Sequence, residues 1–110
     1  MTDELIDLGP IDTCPPGECR EMVALGRMIA VFHVDGQLYG LDGVCPHQGG
    51  PLGKGELNGH IVTCPWHGWQ FDVRDGQNQI TPTICQPRIP LTVQQGRIVA
   101  RREDLEAPPS

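Results

Sequence analysis

The run Met-Ile-Ala-Val-Phe-His-Val at residues 28–34 limits how this chain of 110 residues can fold more than any other feature. Apolar side chains occupy consecutive positions in it, so a strand formed here would be apolar on both faces. Such a strand needs apolar cover on both sides, and the interior of a β sandwich or barrel provides it. The run therefore predicts an all-β fold with this strand inside.

Short β-like runs separated by turn residues make up most of the chain. The predicted strands are Leu5–Leu8, Glu21–Leu25, Met28–Val34, Gln37–Leu41, His60–Thr63, Trp69–Val73, Leu91–Gln94 and Arg97–Arg101. The predicted turn dipeptides are Asp35-Gly36, Asn58-Gly59, Asp75-Gly76 and Gln95-Gly96, with a possible hairpin over Glu56–Thr63. No stretch keeps a helical period for three turns, and the tail Glu103–Ser110 is expected to fray. The length suits a single domain spanning residues 1–110.

Charge and composition exclude several classes of function. The net charge is −6, and Lys54 is the only lysine, which argues against a nucleic-acid partner because phosphate binding needs a basic surface. No run approaches the roughly 20 apolar residues of a membrane span, and the first residues do not resemble an export signal. We therefore expect a cytoplasmic protein whose five cysteines are reduced thiols or metal ligands.

Between residues 43 and 72 the sequence becomes rich in Gly, Pro, Cys, His and Trp, which indicates a loop-built site on a β scaffold. Two short motifs dominate this segment: Cys45-Pro46-His47 and Cys64-Pro65-Trp66-His67, with sixteen residues between His47 and Cys64. Each motif supplies one thiolate and one imidazole, and each is followed by glycine, which permits positive φ or close approach of backbone to a metal centre. Two Cys and two His could also hold a tetrahedral zinc, although zinc fingers usually pair Cys with Cys and His with His.

At these motifs the chain resembles the Rieske ferredoxins, in the flanking stretches C-P-H-Q-G-G-P-L and C-P-W-H-G-W-Q-F-D. The resemblance extends over essentially the whole chain. It implies an antiparallel β sandwich or barrel with an inserted, loop-rich cluster-binding subdomain at about residues 43–72. It also implies one [2Fe–2S] cluster, with Cys45 and Cys64 on one iron and His47 and His67 on the other.

The resemblance also places the chain on the low-potential side of the family. The respiratory branch carries an additional disulfide at the positions of Gly50 and Trp66, where this chain cannot form one. It also carries Ser and Tyr hydroxyls at the positions of Trp69 and Phe71, which here lack a hydroxyl. Fewer donors to the more negative reduced state imply a lower potential within the Rieske range of about −150 to +300 mV.

The function implied by the resemblance is electron transfer. The chain would pass single electrons from a flavin-dependent reductase to a terminal oxygenase or similar redox enzyme, without catalysis of its own, as a monomer or weak oligomer. No G-x-G-x-x-G nucleotide motif is present, and the chain is too short for an additional catalytic iron domain. Two alternatives stay open: the small subunit of a nitrite-reductase-like complex, and a Cys2His2 zinc-binding module.

Other chemically capable residues receive ordinary structural roles. Cys14 and Cys19 could form a disulfide or a second metal site, but unpaired thiols in a turn are favoured. We expect Cys85 to be inertly packed and His33 and His60 to be core or surface residues. Trp66 and Trp69 should shield the cluster from water, and the stretch Ile80–Ile84 resembles the third loop that covers the cluster in the family.

Replacing one histidine by cysteine tests the ligand assignment. His67→Cys should either lose the cluster or shift it towards an all-Cys spectrum with a lower potential, because a thiolate adds negative charge to the centre. Electron paramagnetic resonance (EPR) and voltammetry of the purified variant would measure both properties. A variant with an unchanged spectrum and midpoint would show that His67 is not a ligand.

Overall fold

The computed structural model describes residues 4–44, 50–66, 68–81 and 83–106. Within these ranges nine strands form three antiparallel three-stranded sheets. The strands are β1 (Leu5–Pro10), β2 (Cys19–Ala24), β3 (Arg27–Val34), β4 (Gln37–Asp42), β5 (Glu56–Asn58), β6 (Ile61–Thr63), β7 (Gln70–Asp72), β8 (Leu91–Gln94) and β9 (Arg97–Arg101). The sheet orders are β1-β9-β8, β2-β3-β4 and β5-β6-β7. Short 3₁₀ turns span Ile11–Thr13 and Leu52–Lys54, and a helix, α1, covers Arg102–Glu106. The predicted all-β class is confirmed.

β3 lies in the middle of its sheet with both faces buried, as its sequence predicts. It pairs with β2 on one side and β4 on the other, with Phe32 opposite both Cys19 and Tyr39. Because side chains alternate along a strand, its residues divide between two separate cores.

One core joins β3 to the sheet β1-β9-β8, and the other joins β3 to the sheet β5-β6-β7. The first contains Cys14, Ile29, Val31, Ile89, Ile98, Ala100 and Leu105. The second contains Ala30, Phe32, Val34, Leu41, Leu52, Val62, Cys64, Phe71 and Val73. The second core is therefore the one that includes a predicted ligand, Cys64.

Hairpin turns hold the strands in register, and two of them lie where turn residues predict them. Asp35-Gly36 and Gln95-Gly96 both have positive φ at each residue, which suits the twist of a two-residue hairpin. The predicted hairpin Glu56–Thr63 is present, but Asn58 ends β5, so Gly59 and His60 make the turn instead. Asp75-Gly76 joins no pair of adjacent strands; it lies in the turn after β7.

One hairpin turn was not predicted from sequence. β2 and β3 are joined by Leu25-Gly26, with φ values of 53° and 75°. Leucine rarely adopts positive φ, so its sequence carries no turn signal and extends the predicted strand to Leu25. The pairing of Ala24 with Arg27 imposes this conformation.

The prediction of a frayed tail over residues 103–110 is wrong for its first half. Residues 103–106 belong to α1, in which Leu105 is only 3% exposed and packs into the first core. Arg27 holds this helix by donating to the carbonyls of Asp104 and Leu105, both at 3.1 Å. Residues 107–110 lie outside the described residues. None of the helices in the described ranges has the length and apolar composition needed to cross a membrane.

Removing the Leu105 side chain should measure the contribution of this helix. Leu105→Ala should lower the free energy of unfolding by about 2 kcal/mol, because it leaves a cavity in the first core. Urea denaturation would measure the change. Glu106→Ala is the control, because that side chain is exposed and its ion pair with Arg102 contributes little. Equal effects of the two substitutions would mean that Leu105 packing does not stabilise the fold.

Candidate metal centre

The first motif lies in a loop whose two ends are hydrogen-bonded together. Gly43 follows β4 directly, and its N–H donates to Met28 O at 2.9 Å. Leu52 N–H donates to Gly43 O at 2.9 Å, and Val44 pairs with Pro51. Cys45 and His47 fall between these ends, at positions outside the described residues. The scaffold thus closes the loop on both sides of the predicted ligands.

The second motif forms the connection between β6 and β7. Cys64 follows β6 directly, and its N–H donates to Trp69 O at 2.7 Å, which closes a loop of residues 64–69. Gly68 has φ of +71°, as expected for a glycine that turns the chain back. His67 lies outside the described residues.

The two loops meet at Gly50 and Cys64. A Cβ atom added at Gly50 would lie 2.8 Å from Cys64 Sγ and 3.0 Å from Trp66 Cβ. Only a residue without a side chain fits there, so Gly50 allows a close approach to Cys64 and Trp66, whereas the predicted approach of glycine backbone to a metal centre stays a prediction. The tertiary fold therefore brings the first-motif loop against the thiol of the second motif.

The environment of the Cys64 thiol differs from that of two other thiols. Cys14 Sγ donates to Glu18 O and Val31 O at 3.4 and 3.7 Å, and Cys19 Sγ donates to Gly55 O at 3.3 Å. Cys64 is 1% exposed, yet its Sγ has no hydrogen-bond partner within the described residues. The Cys64 thiol therefore differs from those of Cys14 and Cys19, which donate to backbone carbonyls.

Space is available beside this thiol. An open cavity of about 460 Å³ is lined, among the described residues, by Cys64 with Lys54, Gly55, Glu56, Thr63, Pro65 and Gly68. These residues come from the return of the first loop and from the second loop. The buried thiol, the close approach at Gly50 and the adjacent cavity together fit a metal–sulfide centre held between the loops.

Cys14 and Cys19 are unpaired thiols that belong to different cores. Cys14 lies in the first core, whereas Cys19 packs against the second. Burial raises the pKa of the Cys14 thiol to about 11, and burial also raises the pKa of Cys19. Within the described residues, no three metal-ligating side chains gather around either one. The two cysteines are unpaired, as predicted, but Cys19 begins β2 and does not lie in a turn.

One predicted packing role is wrong: Cys85, which is paired with Gln77, is exposed instead of inertly packed. Trp66 is 50% exposed and lies beside Gly50, and its predicted shielding of the cluster stays a prediction. Trp69 does pack against the second core, with its ring 6.4 Å from that of the fully buried Phe71.

The other two histidines have structural environments. His33 is buried in β3, and its Nδ1 lies 2.8 Å from Cys14 O. His60 lies in the turn before β6, with its ring 6.0 Å from that of Tyr39 and its Nε2 4.0 Å from Asp35 Oδ2. His33 therefore has the predicted core role, and His60 lies in a partly exposed turn without a metal-site role among the described residues.

The third loop, residues 77–85 with Pro82 outside the described residues, contains the predicted stretch Ile80–Ile84 and pairs along β7, where Phe71 lies opposite Asn78. Gln79 N–H donates to Gln70 O, and Asn78 caps the loop by accepting from the N–H groups of Ile80 and Thr81. Gln86 follows this loop and is 1% exposed. Sequence reasoning missed Gln86, because nothing in the local pattern distinguishes it from a surface glutamine.

Filling the space at Gly50 should damage the site locally. Gly50→Ala should reduce the bound iron and sulfide per chain, because overpacking between Cys64 and Trp66 costs about 1–3 kcal/mol unless the loops separate. Iron and sulfide assays would measure the loss. Gly59→Ala is the matched control: it strains a positive φ in open space, away from the loops. Full cluster content in Gly50→Ala would show that the close approach is not required.

Comparisons with known proteins identify this architecture. The Rieske [2Fe-2S] domain family matches residues 4–98. The ferredoxin component of the naphthalene 1,2-dioxygenase/salicylate 5-hydroxylase systems of a Ralstonia species is 30% identical over 104 residues, covering 94% of this chain and all of that protein.

Solved structures agree with this match. The ferredoxin of Sphingomonas yanoikuyae B1 superposes with a TM-score of 0.82 at 27% identity, covering 90% of this chain and 99% of that one. A Mycobacterium tuberculosis chain assigned as an NADH-dependent nitrite reductase small subunit gives a TM-score of 0.81 at 23% identity, covering 93% and 97%, which shows a shared fold alone. The chain therefore belongs to the Rieske [2Fe–2S] domain family, with one [2Fe–2S] cluster as its cofactor.

Proposed function

We propose that this chain is a one-electron carrier whose cluster is held by Cys45 and Cys64 on one iron and by His47 and His67 on the other. The contact between Gly50 and Cys64 carries the proposal, because it brings the loops of both motifs to one place. Whole-length similarity to a ferredoxin component supports the same function.

The bound cluster supplies reversible one-electron chemistry, at a potential raised by histidine ligation relative to an all-Cys centre. The chain's contribution is to hold the ligand loops in one geometry and to keep water from the thiol side. Cys64 is buried in the second core, and Val62 and Phe71 pack in the same core from β6 and β7. A rigid surrounding of this kind keeps the structural change between oxidation states small, which favours rapid transfer.

The carrier must meet two partners in turn, so its contacts should be transient. Val44 in the first loop and Trp66 in the second are about half exposed, and Ile80 of the third loop is 82% exposed. An apolar surface beside the centre suits brief docking of a redox partner close to the electron-transfer site. The net charge of −6 would favour encounter with a partner that carries a basic surface.

The partners we propose are a flavin-dependent reductase as donor and a terminal oxygenase as acceptor. A reduced flavin holds two electrons, so it would discharge in two encounters with a carrier that takes one. The named relative belongs to a dioxygenase system, which supports the oxygenase as acceptor. The nitrite-reductase alternative has only the shared fold in its favour. The zinc alternative has no support from the family match.

We also propose a cytoplasmic location. Cys14 and Cys19 are free cysteines in different cores, with their sulfur atoms placed to donate to backbone carbonyls as thiols do. The cytoplasm is the compartment that keeps such thiols reduced.

Spectroscopy and cysteine variants test the proposed centre. The purified protein should be reddish-brown, hold two irons and two sulfides per chain as a Rieske cluster does, and give a reduced-state EPR signal. Cys64→Ser should abolish all three properties. Cys85→Ser and Cys14→Ser are the matched controls and should retain the cluster in the folded fraction, since Cys85 is exposed and Cys14 lies in the first core.

Colourless protein containing zinc would overturn the proposal. So would cluster loss in Cys85→Ser together with retention in Cys64→Ser, because that pattern would place the ligand in the third loop. Oxidation of the reduced protein by a Rieske-type oxygenase, followed by loss of the EPR signal, would test the direction of transfer.

A further inference from the structure

Gln86 is a buried amide at the junction of the loops around the candidate centre. It lies between the third loop and a segment that runs along β4, where Asp42 N–H donates to Pro87 O and Ile89 N–H donates to Gly40 O, both at 2.8 Å. Its side chain is 1% exposed, which is rare for glutamine unless its amide is hydrogen-bonded.

The amide of Gln86 reaches the main chain that leads into the first motif. Its Nε2 donates to Asp42 O at 2.5 Å and to Val44 O at 2.6 Å. These carbonyls lie at the end of β4 and at the residue directly before Cys45. A primary amide has two N–H donors, and each has one carbonyl here. Without these two N–H donors, the carbonyls of Asp42 and Val44 would lose their hydrogen bonds to Gln86 at the base of the loop.

The backbone of Gln86 is hydrogen-bonded to the turn that follows β7. Its N–H donates to Gly76 O at 2.7 Å, in the turn that follows β7. A Cβ added at Gly76 would lie 2.1 Å from Gln86 O, so the two backbones are in direct contact. Gly76 follows the end of β7, so Gln86 connects the base of the β6–β7 hairpin, which carries the second motif at its other end, to the entrance of the first-motif loop.

We infer that Gln86 is a positioning residue: it holds the entrance of the first-motif loop against the second-motif hairpin, and so controls how firmly the cluster is retained. This inference rests on the proposed function. Gln86 acts through the carbonyls of Asp42 and Val44 and not by contact with the cluster. Its role differs from that of Asn78, a buried amide within the third loop, which caps that loop's own turn.

Gln86→Met in the cluster-loaded protein tests the inference, because methionine has a similar length but no N–H donor. Iron release to a chelator should be at least about fivefold faster than in the wild type. Losing the two hydrogen bonds should shift the equilibrium between the closed and open loop by about that factor. The reduced-state EPR lines should broaden, because the ligand loop would sample more than one arrangement.

Two controls separate positioning from general instability. Gln70→Met makes the same chemical change in β7, where the amide donates, among the described residues, to Thr63 Oγ1 at 3.2 Å. Leu105→Ala destabilises the first core, away from Cys64. Both should keep wild-type EPR linewidths, and neither should release iron as fast as Gln86→Met. Release from Gln86→Met no faster than from Leu105→Ala, or unchanged EPR lines, would overturn the inference.

Hydrogen exchange of the wild-type, cluster-loaded protein provides a test that needs no variant. Residues 41–44 and 84–88 should open as one cooperative unit, since the Gln86 side chain joins them in addition to the hydrogen bond from Asp42 N–H to Pro87 O. Independent exchange of the two segments would contradict the role of Gln86. A wild-type protein without any [2Fe–2S] spectrum would instead contradict the proposed function, so the two failures are distinguishable.

Discussion

Burial of both faces of β3 is the constraint on which the rest of this structure depends. Ile29 and Val31 face the core shared with the sheet β1-β9-β8, whereas Ala30 and Phe32 face the core that contains Cys64. Burying a side chain the size of Phe32 contributes about 2–3 kcal/mol, and this contribution is available only when a second layer covers it. The loop-bearing sheet β5-β6-β7 supplies that layer. The sheet that presents the second motif is thus packed directly onto the scaffold, which gives the candidate centre a rigid base.

The described residues of the two loops belong to no strand, so a small number of polar and steric contacts must hold them. Each loop has its own closing hydrogen bond, from Leu52 to Gly43 in the first and from Cys64 to Trp69 in the second. The absence of a side chain at Gly50 lets the two loops touch. Gln86 adds a connection between segments that are distant in sequence. For an electron carrier this arrangement has a clear advantage, since a centre held from several sides needs little rearrangement when its charge changes by one electron.

Sequence patterns predicted the parts of the structure that depend on local chemistry. Hairpin turns at Asp35-Gly36 and Gln95-Gly96 were predictable, because each pairs a polar residue with a glycine, and glycine adopts positive φ at low cost. The turn at Leu25 was not, because only the pairing of β2 with β3 forces leucine into that conformation. The short helix that carries Leu105 was missed for a similar reason. A single turn of helix is unstable alone and forms here because Leu105 is buried and Arg27 holds its carbonyls.

The sequence by itself determined the fold class, the family and the identity of the candidate ligands, because each follows from residue types at short, fixed spacings. The two Cys-and-His motifs and the doubly apolar β3 run are features of this kind. The tertiary structure decided which segments meet. It alone placed Gly50 against Cys64, exposed Cys85 and Trp66, separated Cys14 from Cys19 into different cores, and directed the Gln86 amide to the entrance of the first loop. These contacts join residues far apart along the chain, and their formation depends on the packing of whole sheets, which no local pattern records.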